Sequence, residues 1–201
     1  MQIPKKVLMA SPKYFAVEYA INPHMKSPNG ELHIINKTKS LNQWNSLRAT
    51  YNSLGLHVET LEAIPGLPDL VFSANQTLPI VRANEKICIL SNMANPQREG
   101  EVPLFRTFFE SQNYQIHSTQ WKFEGAGDAL IDYGNDRIFL GHGFRTSPEV
   151  ADFLSEVSGL PVIQLQLIEE NFYHLDTCLC LLNAETVAVV ESGFQDSSLN
   201  T

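Results

Sequence analysis

Short apolar runs broken by polar loops recur along this chain at a nearly constant interval. Lys6–Ala10 and Leu56–Leu61 read as strands, with Ser11-Pro-Lys13 as a polar loop after the first. Between them, Thr38–Leu54 carries Leu41, Trp44, Leu47 and Tyr51 at helical spacing, and Gly55 follows as a stop. After the turn Pro65-Gly-Leu-Pro68, Thr77–Val81 and Lys86–Leu90 form a hairpin around Arg82–Glu85. A helix over Glu101–Gln112 turns Leu104, Phe105, Phe108 and Phe109 inward, and Tyr114–His117 is the strand that closes the unit.

The pattern then starts again. Asp128–Asp132 and Arg137–Leu140 pair across Tyr133-Gly-Asn-Asp136. Thr146 or Ser147 caps a helix with Pro148 in its first turn and Gly159 at its end, and Pro161–Leu165 is the closing strand. A third hairpin, Thr177–Leu182 with Thr186–Val190, opens another unit, but neither helix nor strand follows Ser192-Gly-Phe194. The hairpins begin near Thr77, Asp128 and Thr177, roughly fifty residues apart, so one supersecondary unit is reused and buries its apolar face against its neighbours. An array that stops halfway through a unit leaves strand edges uncovered. The expectation is one domain over residues 1–201 that lacks its C-terminal part, with a short terminal cap as the alternative.

Composition narrows the class. A chain of 201 residues with 43% hydrophobic content can bury one sizeable core. A net charge of −8 without a basic cluster argues against nucleic acid and anionic membranes as partners. No apolar run is long enough to span a bilayer, and the N-terminal stretch is too short for a signal peptide, so a cytoplasmic protein is expected. Cys88, Cys178 and Cys180 make neither a disulfide framework nor a metal motif, and no metal or cofactor is expected. Homo-oligomerisation stays open.

Polar residues fall at matching places just ahead of the hairpins, in Pro68–Asn75, Phe123-Glu-Gly-Ala-Gly-Asp128 and Phe172-Tyr-His-Leu-Asp-Thr177. If the units surround an axis, Asp69, Glu124, His174 and Asp176 meet on it and suit a cation. Glu124 precedes Gly125-Ala-Gly127, where little bulk crowds the carboxylate. His174 and Asp176 share one face if the segment is extended, and a histidine beside a carboxylate is a natural proton shuttle. Taken singly, each also reads as a turn carboxylate or a satisfied core histidine. Arg98 and Arg145 lie in comparable loops leading into helices, where a guanidinium can grip a carboxylate at two points or stay solvated. Carboxylates for a cation and arginines for a carboxylate suggest a small zwitterion with a cationic side chain, such as arginine.

Lys13–Met25, Pro68–Asn75, Phe123–Leu130, Gly141–Thr146 and Phe172–Cys178 together resemble the guanidino-group-modifying (pentein) enzymes. That superfamily includes arginine deiminase, dimethylarginine dimethylaminohydrolase and amidinotransferases. The resemblance is closest to the arginine dihydrolase domain of cyanobacterial type, through Ile21-Asn-Pro-His-Met25, Phe72-Ser-Ala-Asn75 and Phe172–Cys178. It implies an α/β propeller of ββαβ units around a pseudo-five-fold axis, incomplete here at the C-terminus, with the site on the axis. It also implies a covalent mechanism in which a cysteine thiolate attacks the guanidinium carbon. In that scheme Glu124 and Asp176 hold the guanidinium and His174 moves protons. Asp69, Asn75 and Asn22 belong to the substrate pocket, while Arg98 and Arg145 hold the amino-acid end.

One departure matters. The resemblance puts the nucleophile in a Gly-rich segment of the last blade, and no such segment stands in this sequence. Cys88, Cys178 and Cys180 fall inside or beside earlier strands, where cysteines are usually inert. The expectation is a guanidino hydrolase whose 201-residue form lacks the group that starts the reaction. A dimethylarginine dimethylaminohydrolase is the alternative within the class, and a non-catalytic paralogue or guanidino-ligand binder the alternative outside it.

Overall fold

A computed structural model describes residues 5–82 and 85–198. The chain divides between Ser73 and Ala74 into two compact units. In the first, β1 (Lys6–Ala10) and β2 (His57–Leu61) pair in parallel, Lys6 opposite His57 and Ala10 opposite Leu61. Parallel pairing needs a crossover, and α1 (Lys37–Ser53) supplies it, capped by Asn36 Oδ1 accepting from the Lys39 N–H at 2.9 Å. The helix lies where its spacing predicts, but no α1 residue is buried, and Leu41 and Leu47 are each 46% exposed. Periodicity sets the helix; burial needs an opposing face, which the spacing alone does not supply.

The second unit carries the repeat. β3 (Thr77–Arg82) pairs antiparallel with β4 (Glu85–Leu90), and β4 pairs in parallel with β5 (Gln115–Ser118) across α2 (Val102–Ser111). Of the turn expected around Arg82–Glu85, Ala83 and Asn84 lie outside the described residues. A one-turn helix α3 (Gly125–Asp128) then leads into the same arrangement: β6 (Ala129–Asp132) antiparallel to β7 (Arg137–His142), which is parallel to β8 (Val162–Gln166) across α4 (Val150–Ser158). β9 (Leu179–Leu181) and β10 (Val187–Val189) form the third hairpin. Two ββαβ units and a further hairpin are thus present, as the interval predicts.

Alternation along the strands places the core. Leu78, Ile80 and Ile89 from the first sheet meet Ala129, Ile138 and Leu140 from the second, with Val150, Ala151 and Leu154 of α4 among them. A second cluster joins Leu165, Leu167, Leu175, Leu179 and Phe194. Four expectations shift. α2 follows a 3-10 turn, Pro96–Glu101, and buries Phe105 and Phe109 while Leu104 and Phe108 are only half-buried. Asp128 is not a strand residue but closes α3, because the glycines before it permit a tight turn. Neither Thr146 nor Ser147 caps α4, whose N-cap is Glu149, so Pro148 lies ahead of the helix, although Gly159 ends it with a φ of +67°. His174 and Asp176 do not share an extended face, since a 3-10 turn over Leu175–Thr177 follows His174.

Candidate active site

Glu124 and His174 are both buried, with Glu124 Oε2 3.2 Å from His174 Nε2. Two glycines let this happen. Gly125 has a φ of +56°, and a Cβ on it would lie 2.7 Å from the Thr77 carbonyl oxygen, closer than side chains tolerate. A Cβ on Gly127 would collide with the Asn75 amide. The Gly125-Ala-Gly127 run therefore brings a carboxylate, an amide and an imidazole together where any bulk would part them.

The opposite side of the imidazole is held by a residue that the sequence pattern marks only as a strand start. Asp128 Oδ1 sits 3.1 Å from His174 Nδ1 and also accepts from the Leu175 N–H at 3.2 Å. Its Oδ2 accepts from Thr146 Oγ1–H at 2.6 Å, and Thr146 Oγ1 in turn accepts from the Glu124 N–H at 3.1 Å. A carboxylate only accepts, so Nδ1 carries a proton and Nε2 is the nitrogen free to exchange one. The spacing of Glu124 and Asp128, four residues and so one helical turn, is the signal that could have found this pairing; the glycines mask it by arguing against a helix.

Burial alone would lower the His174 pKa, but the charges and hydrogen bonds of Asp128 and Glu124 outweigh it and push it up to about 9. Burial would raise Glu124, yet the His174 hydrogen bond and the charges of Arg145 and Arg98 hold it below its ordinary value. Arg145 Nη1 donates to Glu124 Oε2 at 3.0 Å, and its guanidinium lies 4.9 Å from the Tyr173 ring centre. Asp176 is accessible to solvent, but its crowded surroundings desolvate the carboxyl and raise its pKa to about 6, with His174 pulling the other way.

Arg98 is buried and engaged on two sides. Its Nε and Nη2 donate to Glu101 Oε1 and Oε2 at 3.1 and 2.8 Å, and Nη1 donates to Asn75 Oδ1 at 3.0 Å. Asn75 Nδ2 lies 3.2 Å from His174 Nε2, and Gln76 Nε2 also donates to Glu101. Sequence reasoning misses Glu101 and Gln76 because Glu101 reads as a helix start and Gln76 falls between the Pro68–Asn75 motif and the strand from Thr77. In this structure both arginines thus pair with groups of the protein itself. Asp69 and Asn22 belong to the first unit. Asp69 is buried in the 3-10 turn Pro68–Val71 and accepts from Tyr19 Oη–H at 2.8 Å; Asn22 Oδ1 accepts from the His24 N–H at 3.0 Å.

Neither buried cysteine has an activated thiol. Burial pushes Cys88, on β4, up to about 12 and Cys178 up to about 11. Cys180 is exposed on β9. Among the described residues no cluster of histidine, cysteine and carboxylates is arranged to hold a metal ion, and no described helix is long and apolar enough to cross a membrane.

Repeated ββαβ units carrying a buried imidazole between carboxylates place the chain in the guanidino-group-modifying class that its motifs resemble. The family model for eukaryotic N,N dimethylarginine dimethylhydrolase matches residues 11–198, and the chain belongs to this family. It is 34% identical over 194 residues to the N(G),N(G)-dimethylarginine dimethylaminohydrolase of Mycobacterium tuberculosis, covering 96% of this chain and 61% of that protein. It is also 34% identical over 180 residues to the bifunctional arginine dihydrolase/ornithine cyclodeaminase ArgZ of Synechocystis sp., covering 89% of this chain and 24% of that protein. The chain thus spans only part of these relatives. Among solved structures, the N-terminal domain of ArgZ, a cysteine-to-serine mutant bound to substrate, superposes with a TM-score of 0.90 at 31% identity, over 97% of this chain and 70% of that one. The dimethylarginine dimethylaminohydrolase of Pseudomonas aeruginosa matches with a TM-score of 0.77 at 19% identity, over 99% of this chain and 74% of that one, and shares the fold.

Proposed function

We propose that the chain is the substrate-binding part of a guanidino hydrolase that converts arginine to ornithine. The observation that carries this reading is the His174 imidazole, held at Nδ1 by Asp128 and facing Glu124 and Asn75 at Nε2. Glu124 and Asp176 orient the guanidinium; Arg98 and Arg145, which the resemblance puts at the carboxylate end, pair here with Glu101 and Asn75 and with Glu124 instead. Asp69 and Asn22 are assigned to substrate binding by the family resemblance. A cysteine thiolate attacks the guanidinium carbon, and His174 gives its Nε2 proton to the leaving nitrogen, which departs as ammonia. Neutral His174 then takes a proton from water, whose hydroxide displaces the thiolate and leaves citrulline.

Asn75 sets the outcome of a second round. A carboxylate there would suit a guanidinium but not a neutral ureido group, whereas an amide both donates and accepts. Citrulline stays bound and is attacked again, so arginine and two waters become ornithine, carbon dioxide and two ammonia.

The nucleophile is proposed to come from a further segment completing the propeller around a pseudo-five-fold axis. The thiols of Cys88 and Cys178 are too basic for the role, and a cysteine-to-serine form of ArgZ holds its substrate. The test is turnover of arginine, with citrulline, ornithine and ammonia measured, by the 201-residue chain and by a form extended with such a segment. No turnover by the first and ornithine from the second is expected. The family match and the mycobacterial relative favour a second reading, a dimethylarginine dimethylaminohydrolase, which preference for methylated arginine would establish, whereas citrulline alone from arginine would mark a deiminase. Binding without turnover by the extended form would instead mark a guanidino-ligand binder.

A further inference from the structure

We propose that Arg98, held by Glu101, is a positioning residue that locks the Asn75 amide with its nitrogen, and not its oxygen, turned to His174. A guanidinium has only donors, so Arg98 Nη1 at 3.0 Å fixes Oδ1 as the near atom and sends Nδ2 toward His174 Nε2, 3.2 Å away. Glu101, itself buried, holds Arg98 with both carboxylate oxygens and accepts from Gln76 as well, so the fork cannot swing without breaking a desolvated ion pair. Gly127 adds a steric wall, since any side chain there would displace Nδ2.

The orientation has a chemical consequence. An imidazolium Nε2–H cannot accept a hydrogen bond, so an amide N–H aimed at Nε2 favours the neutral ring. The other groups around His174 mostly pull the opposite way. Asp128 and Glu124 favour its proton by charge and hydrogen bond, as does Asp176 by charge when ionised, while Arg145 beside Glu124 opposes it. The Cys178 thiol, which reaches the His174 carbonyl, stays neutral. Asn75 turned this way loosens the Nε2 proton that the carboxylates hold. Turned the other way, its oxygen would accept that proton's hydrogen bond and trap it. The inference rests on His174 being the proton carrier, but its test needs no substrate and no turnover.

The experiment follows the His174 ring nitrogens of the 201-residue chain by NMR through a pH titration, for Arg98→Lys, Asn75→Ala and the double variant. Lysine keeps the charge but not the two-sided geometry. Arg98→Lys is expected to raise the His174 pKa by about one unit, a tenfold change in its protonation ratio, and to have no effect in the Asn75→Ala background. Equal shifts in both backgrounds, or none in either, would show that Arg98 acts by charge or packing and overturn the proposal. Should Arg98→Lys fail to fold, Glu101→Gln read in the same two backgrounds decides the matter: dependence on Asn75 supports the lock, independence removes it. Loss of the dihydrolase reading would leave this result standing, and the reverse holds too.

Discussion

Thr146 Oγ1 donates to Asp128 Oδ2 at 2.6 Å while accepting from the Glu124 N–H at 3.1 Å, so one hydroxyl ties together the two residues that flank His174. Its single proton and a lone pair are both used, and both partners are buried. Thr146→Val keeps the shape but leaves a buried carboxylate oxygen and a buried N–H short of a partner. It is expected to cost about 1–3 kcal/mol in urea unfolding, with Thr146→Ser much closer to the parent. Equal losses for valine and serine would assign the effect to the methyl group instead.

Stability should fall as the solution turns alkaline. The His174 pKa is about 9 in the fold against an ordinary 6.5, so the folded state binds that proton more tightly than the unfolded chain does. Its contribution, on the order of 3 kcal/mol, is full below pH about 6.5 and is lost as pH rises through about 9. Asp176, raised to about 6 from 3.8, acts with the same sign at lower pH, favouring the fold as it becomes protonated. Urea midpoints measured across this range are expected to decline toward alkaline pH, and Asp128→Asn to flatten the decline. A rising midpoint between pH about 7 and 9 would contradict the charge arrangement around His174.

Much of this is legible in the sequence, and the failures have physical causes. Periodicity finds the strands and both repeat helices because alternation and helical spacing are local properties. The motifs lead to Glu124, Asn75 and His174, which meet. Asp128 and Thr146 escape such a reading because each has a plausible local role, a strand start and a helix cap, that hides its distant partner: Asp128 meets His174 across 46 positions, and Thr146 meets Asp128 across 18. Glu101 escapes it for another reason, since it meets Arg98 only 3 positions away, in a 3-10 turn that no pattern announces. The expected ligand grip of Arg98 cannot reveal this ion pair either, because solvated and buried arginines look alike in a sequence.

The glycine run should tolerate no side chain. Gly125→Ala combines a positive φ with contacts of 2.7–2.9 Å to the backbone of Thr77 and Ala74. A loss of more than about 2 kcal/mol is expected, with a shift of the Glu124 amide resonance. Gly55→Ala provides the contrast: its φ of +80° is strained too, but its Cβ meets nothing within 4 Å, so it should cost only about 1 kcal/mol.

Thiol reactivity should separate the three cysteines. Cys180 is exposed, whereas burial holds the thiols of Cys88 and Cys178 at about 12 and about 11. Iodoacetamide at neutral pH, followed by peptide mass mapping, is expected to alkylate Cys180 first and the other two at least about tenfold more slowly. Fast labelling of Cys178, whose Sγ lies 3.8 Å from the His174 carbonyl oxygen, would reopen it as a nucleophile.

Asn75→Asp tests the chemistry that the amide is proposed to supply. The new carboxylate would set one oxygen on Arg98 and the other on His174 Nε2, in place of the N–H donor now 3.2 Å from it. Acceptance from Nε2–H and the added negative charge both favour the imidazolium, so the His174 pKa should rise above about 9 in the 201-residue chain. In the extended, active form a charged guanidinium should still bind, because it gains a carboxylate, while neutral citrulline loses its amide donor. Arginine is therefore expected to stop at citrulline, with ammonia released once per arginine and ornithine falling by at least about tenfold. Continued release of ornithine at the parent rate would remove Asn75 from the choice of product and leave its amide with the orienting role alone.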